Sequence, residues 1–539
     1  MIRKLFCSKI NSISVAAGLV AISSLASRIL GIFRDRILAG QFGAGDTLDI
    51  YYAAFRIPDL IFNLIVLGAL SAGFIPIFTN LIKDHKQTSK NKEAWELTSN
   101  IFNILLVTII VLSVIGIIIA PYLMKWITPG FDGEKLAATI TLARIMFLSP
   151  ILLGASSVLG GVLQSFKRFF LYSLSPIFYN LGIIIGVLWF VPLLGMHGLA
   201  WGVILGSLLH MLIQLPAIIS LGFKYHFSFK FTKAVREVAR MMTARTLSLA
   251  INQINLVVIT IVASTLVSGS LAVFNLANNL QSFPIGIFGI SFAIAVFPVL
   301  SANAFDRPRL IEYFSKTIRQ ILFFIIPSTV LMIVLRAQIV RVILGSGKFD
   351  WQDTIMTIDA LTFFAISFFA QATIPLLTRM FYARHNSKTP FYVGLVSVVL
   401  NVLLSLYFSR TMGVAGLAFA FSISSALNFL LLILLLRYEL GKLDEFRIVI
   451  SVLKFSIAAV SAGVVVQALK IVVEPFVTLT KFWGVLAQGV IAGIGGLIIY
   501  FLVCSLLRSQ EWRELWDGFK CRFMWKGVKT GDHGEARGI

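Results

Sequence analysis

Three arginines and an aspartate interrupt an apolar stretch near the start of the chain, in SSLASRILGIFRDR from Ser23 to Arg36. An arginine at the centre of a membrane helix costs about 2.5–3.5 kcal/mol on insertion scales, so such a charge persists where it faces a wet cavity or a partner. At about 100° per residue, with Arg28 as origin, Ser24, Ser27, Gly31, Arg34 and Asp35 share one sector of roughly 120°, and Arg36 falls outside it. A helix that enters the bilayer at residue 13 carries Arg28 about 22 Å along its axis and Arg34 about 31 Å, at about 1.5 Å per residue. Arg28 is the deep charge, and Arg36 is expected to snorkel to the headgroups. Two readings stand for the others: ion pairs inside the protein, such as Arg34 with Asp35, or a cationic cavity that meets an anionic ligand. Arginine forks suit phosphate oxygens.

Further polar residues extend this set. Asp49 and Arg56 flank the start of the second helix, Arg245 begins the seventh with Gln253 and Asn255 after it, and Asn278, Asn279 and Gln281 lie in the eighth. Buried amides in membranes commonly join helices to one another. Arg144 and Arg379 fall in the fourth and tenth helices, as cavity residues or as snorkelling ends. No HExxH, GxSxG, Walker or CxxC pattern appears, and the six histidines are scattered. Cys7, Cys504 and Cys521 sit near the chain ends in no metal-like spacing and read as free thiols. The residues call for no cofactor, no metal and no catalytic role, so the chain is not expected to be an enzyme.

Long apolar elements must position these charges. The chain has 539 residues, 58% of them hydrophobic and 13% charged, and its mean hydropathy is +0.91. Apolar runs of membrane-crossing length recur without the alternation of a barrel, which predicts an all-α polytopic membrane protein. Polar breaks divide it into about fourteen transmembrane helices, near 13–40, 47–82, 95–125, 136–165, 170–192, 197–222, 241–265, 271–302, 314–344, 355–383, 388–408, 413–437, 447–470 and 482–507. The net charge of +22 would suggest nucleic acid in a soluble protein, but its distribution is topogenic. Basic residues such as Lys167, Arg168, Arg307, Arg309, Lys316 and Arg319 crowd one set of connections, while the alternate set holds the few exemplified by Lys125, Lys348 and Arg410. The positive-inside rule then puts both termini in the cytoplasm. No nucleic-acid partner is called for. In the tail, Trp512, Leu515, Trp516, Phe519 and Phe523 recur at helical spacing among basic residues, as for a helix in the inner interface.

The chain also resembles itself. GMHGLA at Gly195 to Ala200 is echoed by GVAGLA at Gly413 to Ala418, and nearly the same displacement carries Arg28 onto Arg245 and Asn180 close to Asn401. Six helices per copy give two lobes of like orientation around a central cavity, related by an axis along the membrane normal. The expected organisation is an N-lobe at 1–225, a C-lobe at 226–440, two extra C-terminal helices at 441–507 and a basic cytoplasmic or interfacial tail at 508–539.

SRILGIFRDRILAGQFGAG, RIPDLIFNLIVLGALSAGFIPIF, PGF at Pro129, QLP at Gln214, GKF at Gly347 and RMFYARHNSKTP at Arg379 carry a family resemblance. In order and over nearly the whole chain, they resemble the MurJ (MviN) family of lipid II flippases, of the superfamily that includes MATE drug exporters and polysaccharide flippases. The resemblance implies a bacterial inner-membrane protein that moves lipid II, the undecaprenyl-pyrophosphate-linked disaccharide peptide, outward by alternating access among membrane lipids. It also implies that Ser27, Arg28, Arg34, Asp35 and Asp49 belong to a cationic substrate site. Where many members carry further charges, this chain has Phe62, Asn63, Leu67, Asn278 and Asn279, so Arg56 or Arg245 is expected to supply the missing cavity charge. Some relatives bind sodium in the second lobe through carboxylates; here Asn401 and Ser405 are the nearest polar positions on the eleventh helix, and no sodium site is expected. A polysaccharide flippase or drug exporter of the same superfamily is the alternative. A membrane enzyme acting on polyprenyl-linked sugars would need a larger loop bearing acids or histidines.

Overall fold

The computed structural model describes residues 13–67, 73–83, 88–223 and 225–524, all of whose regular structure is helical. Cys7 lies outside the described residues, as do the side chains of Leu67, Arg245, Phe519, Cys521 and Phe523. Among the described residues nine helices are long and apolar enough to cross a membrane, or ten if Trp351–Ile366 and Phe368–Ala383, bent by 48°, form one broken span. Wherever described, the fourteen apolar segments fall on helical backbone. Three of them are irregular. The first helix, Ile13–Phe42, carries the four charges. The second, Asp46–Phe62, runs into a π-helical turn at Asn63–Leu67. Lys388–Leu440 counts once although Gly413 breaks it.

The echoed hexapeptides adopt matching conformations. Gly195 has φ 59° and ψ −143°, and Gly413 has φ 56° and ψ −134°, a region open to glycine and closed to residues with a Cβ. Three residues on, Gly198 and Gly416 bring the returning helix against the backbone of the preceding one, at Phe190 and Phe408. The internal repeat is thus visible as one turn built twice.

The chain packs as two compact units. The first gathers Met1–Phe283, Ile339–Ser367 and Ser387–Leu431; the second gathers Pro284–Gln338, Phe368–Asn386 and Leu432–Ile539. Within the first, helices Phe169–Ile185 and His197–Leu212 meet backbone to backbone. A Cβ built on Gly182 would stand 2.3 Å from the Gly206 Cα, and one on Gly186 would stand 2.2 Å from the Gly202 Cα. Apolar burial drives little helix association inside lipid, so small residues that admit close contact take its place. Gly206→Val is therefore expected to cost about 1–3 kcal/mol through forced separation of the two helices. A thermal melt of the purified variant, followed by fluorescence-detected gel filtration, checks it; an unchanged midpoint would refute the packing role.

Within the second unit, Tyr500 donates to the Phe323 carbonyl at 2.6 Å and the side chains of Gln338 and Gln488 pair at 2.9 Å. The tail helix, Gln510–Met524, docks through Glu511. That carboxylate pairs with Arg319 and accepts from Ser451 at 3.1 Å and Ser509 at 2.8 Å. Trp512 stacks on Phe501, and Trp516 is half-exposed beside it. The tail helix is amphipathic as expected. Arg319, grouped above with the topogenic charges, is buried against Glu511.

Candidate functional site

In the first unit the charged face of Ile13–Phe42 separates two adjoining cavities. The smaller, of about 230 Å³, is bounded by Ser27, Arg28, Gly31, Arg34, Asp35, Asn180, Asn279 and Ser282, among others. The larger, of about 360 Å³, shares Arg34, Asp35 and Asn279 and continues along Tyr51, Tyr52, Arg56 and Asp59 to Tyr179, His210 and Asn275. Six of the expected residues, Ser27, Arg28, Arg34, Asp35, Arg56 and Asn279, are thereby brought to one place.

Arg34 and Asp35 hold each other. The Asp35 Oδ1 accepts from Arg34 Nη2 at 2.8 Å and Nε at 3.0 Å, while Oδ2 accepts from the Asn279 amide at 2.9 Å. Arg34 Nη1 donates to Asn180 Oδ1 at 3.0 Å, and the Asn180 amide reaches back to Ser27 at 3.4 Å and to the Pro176 carbonyl at 3.1 Å. Three helices meet on this network, and the charge of Arg34 is locally neutralised. Arg28 is different. Among the described residues it makes one hydrogen bond, from Nη1 to the Ser282 carbonyl at 3.3 Å. Among the described residues, most of its five N–H donors meet no acceptor.

Arg56 is buried and donates to Thr260 Oγ1 at 2.8 Å and to Asn275 Oδ1 at 3.2 Å. Its guanidinium is on the wall of the larger cavity. Arg245, the other candidate for the missing cavity charge, lies outside the residues whose side chains are described.

Asp49 lines neither cavity. Its Oδ1 accepts from the Ala272 amide at 2.9 Å and its Oδ2 from the Gly269 amide at 2.8 Å, at the start of helix Ser270–Pro284, and Lys135 Nζ lies 3.1 Å away. A carboxylate at a helix N-terminus satisfies orphan N–H groups and opposes the helix dipole. Asp46 beside it accepts from Lys135 and from Ser268. The turn after the first helix joins the same cluster: the Ala44 amide donates to Asp353 Oδ2 and the Lys348 amide to the Gly40 carbonyl, each at 2.8 Å. Asn278 also lies off the cavity walls, where it accepts from Gln281 at 2.9 Å.

Other expectations resolve locally. Arg36 donates to the carbonyls of Val342 and Ile343 at the end of helix Arg336–Ile343. Asn401 donates to Asn255 at 2.6 Å, an inter-helix amide pair. Arg144 and Arg379 donate to the carbonyls of Ile117 at 3.3 Å and Pro375 at 3.1 Å. The sequence reading missed Asp59, His210 and the tyrosines. Tyr51, Phe55, Asp59 and Phe62 recur at helical spacing, a signal that was available; His210 comes from a distant helix and had none.

The chain matches the family model described as lipid II flippase MurJ over residues 38–487. It is 30% identical over 437 residues to a probable lipid II flippase MurJ of Buchnera aphidicola subsp. Baizongia pistaciae, covering 78% of this chain and 83% of that one. A probable lipid II flippase MurJ of Thermotoga maritima is 30% identical over 502 residues, 92% of this chain and 97% of the other. Among solved structures, a lipid II flippase MurJ in an inward closed conformation shares the fold with a TM-score of 0.75 at 24% identity, covering 92% of this chain and 99% of that chain. An inward-facing MATE family multidrug resistance transporter shares it with a TM-score of 0.65 at 17% identity, over 78% and 96%. With its polytopic helical architecture and a family match over most of its length, the chain belongs to the lipid II flippase MurJ family.

Proposed function

We propose that this protein flips lipid II from the cytoplasmic to the outer leaflet of the bacterial inner membrane, by alternating access between lobes at 1–225 and 226–440. Residues 441–507 and the helix Gln510–Met524 buttress the second lobe, and both termini lie in the cytoplasm. The single observation that carries this reading is Arg28, a half-buried guanidinium with one hydrogen bond among the described residues, in a pocket of about 230 Å³ beside an already neutralised ion pair. A pyrophosphate supplies oxygens for its other N–H donors, and the lipid tail can remain in the bilayer.

The neighbouring residues translate binding into motion. Asn279 joins helix Ser270–Pro284 to Asp35, and Asn180 joins helix Phe169–Ile185 to Arg34. An anion that draws Arg34 toward itself weakens its link to Asn180 and its pairing with Asp35. The Asp49 cluster holds the outer ends of the helices together while the cavity faces inward, and it must part for release. Ser27, Arg34, Asp35, Arg56 and Asn279 thus bind or orient substrate, Asp49 latches, and Asn278 supports the eighth helix through Gln281.

The test of the function is complementation of a conditional flippase-deficient bacterium, paired with an assay of lipid II accessibility at the outer leaflet. Growth with restored accessibility supports the proposal, and normal expression without either sinks it. For the latch, Asp49→Asn removes charge-assisted hydrogen bonds worth about 1.5–3 kcal/mol each. Labelling of a Ser270→Cys reporter, fully buried at the start of helix Ser270–Pro284, by an impermeant thiol reagent is expected to rise roughly tenfold or more in that background. Unchanged labelling excludes the latch.

A further inference from the structure

The larger cavity has a chemistry that a pyrophosphate does not account for. Its positive charge is largely committed: Arg34 is held by Asp35, and Arg56 donates to Thr260 and Asn275. Two carboxylates, Asp35 and Asp59, border it, which disfavours a second anion. Aromatic rings form much of the rest. On helix Asp46–Phe62, Tyr51, Tyr52, Phe55 and Phe62 lie with Asp59 within a sector of about 100° at about 100° per residue. The Tyr51 ring stands 5.3 Å from that of Tyr52 and 6.2 Å from that of Phe55. The Tyr52 hydroxyl is buried with no hydrogen-bond partner among the described residues.

The facing wall is fixed from behind. His210 Nδ1 lies 2.6 Å from Ser156 Oγ, which accepts from Gln214 Nε2 at 2.7 Å. The Tyr179 ring packs edge-on against the imidazole at 6.4 Å. With Nδ1 committed to Ser156, Nε2 is the nitrogen left to offer a ligand. Rings that accept apolar C–H faces, combined with a carboxylate, an imidazole and phenols, match a pyranose ring better than a phosphate: its faces are apolar and its rim carries hydroxyl and amide groups. The volume of about 360 Å³ falls within the range of about 300–1,000 Å³ usual for small-molecule sites.

We infer that the larger cavity is the subsite for the saccharide part of the lipid-linked substrate, with Asp59 and His210 hydrogen-bonding its rim, and that the Arg34–Asp35 pair divides it from the pyrophosphate pocket at Arg28. This assignment rests on the flippase reading. It gives the two cavities separate tasks: one recognises any polyprenyl pyrophosphate, the other asks whether sugar is attached.

The experiment compares binding of lipid II and of undecaprenyl pyrophosphate, which lacks the saccharide, to the purified full-length protein in nanodiscs. Wild type is expected to prefer lipid II by about tenfold or more. Asp59→Asn and His210→Asn are expected to remove most of that preference and leave undecaprenyl pyrophosphate binding unchanged. Asparagine places its amide near the Nδ1 position and so can keep the Ser156 contact, while glutamine reaches further, so His210→Gln is expected to recover part of the preference. Retained binding of undecaprenyl pyrophosphate reports that each variant is folded. Equal wild-type affinity for the two lipids, or an equal loss for both in the variants, overturns the saccharide subsite and leaves the flippase reading standing. Binding of neither lipid by a wild-type protein that complements growth overturns the saccharide subsite, and binding of neither by one that does not complement overturns both readings.

Discussion

Arg28→Ala is expected to abolish lipid II translocation while the protein still folds. The stability cost is small because Arg28 gives up one hydrogen bond to a backbone carbonyl, worth about 0.5–1.5 kcal/mol net. The functional cost is large. Two charge-assisted bonds to a pyrophosphate, at about 1.5–3 kcal/mol each, correspond to a loss of roughly a hundredfold or more in occupancy. Arg28→Lys is expected to restore part of the activity, since an ammonium keeps the charge and loses the planar fork. Reconstituted vesicles loaded with labelled lipid II measure the rate, and thermal unfolding measures the fold. Normal flipping by the alanine variant would remove Arg28 from the mechanism.

The second large effect lies in the other compact unit. Glu511→Ala leaves Arg319 buried without its carboxylate, and breaking a buried ion pair from one side costs about 3–5 kcal/mol. Both partners are almost wholly enclosed, and Ser451 and Ser509 lose their acceptor as well. The tail helix is expected to undock. Hydrogen exchange across residues 510–524 then rises to that of a free peptide, and the melting temperature of the whole protein falls. Glu511→Gln, which keeps an acceptor oxygen, is expected to lie between the two. Protection unchanged in the alanine variant would show that Trp512 and its stacking on Phe501 hold the helix instead.

The helical class and the charged face of the first helix were legible in the sequence because each rests on local periodicity, and the repeated turn because its glycines recur in the same short motif. Arg28, Arg34 and Asp35 could be grouped from their angles alone. What the angles do not contain is the partner. Arg36 was assigned to headgroups because its acceptors, Val342 and Ile343, lie some three hundred residues away. Asp49 was placed with the cavity, yet it faces helix Ser270–Pro284, whose N-terminus supplies two amides. Arg34 and Asp35 left two readings open, and the structure realises the ion pair within the cavity wall. His210 and Asp59 went unnoticed for different reasons. The histidine acquires meaning from Ser156 and Tyr179, on other helices. The aspartate sits in an apolar helix face and stands out once that face borders space.

The glycine contacts between Phe169–Ile185 and His197–Leu212 have a bearing on motion. Where backbone lies directly on backbone, no side chain can change rotamer to let one helix slide past the other. Tyr179 and His210, one from each helix, therefore travel as a single stiff plate. During transport their mutual geometry is conserved, and the wall they form is either presented or withdrawn whole. Helix Asp46–Phe62 differs, since Pro58 and the π-helical turn after Phe62 interrupt its ladder. Of the two walls of the larger cavity, one is built to hold its shape and the other to bend.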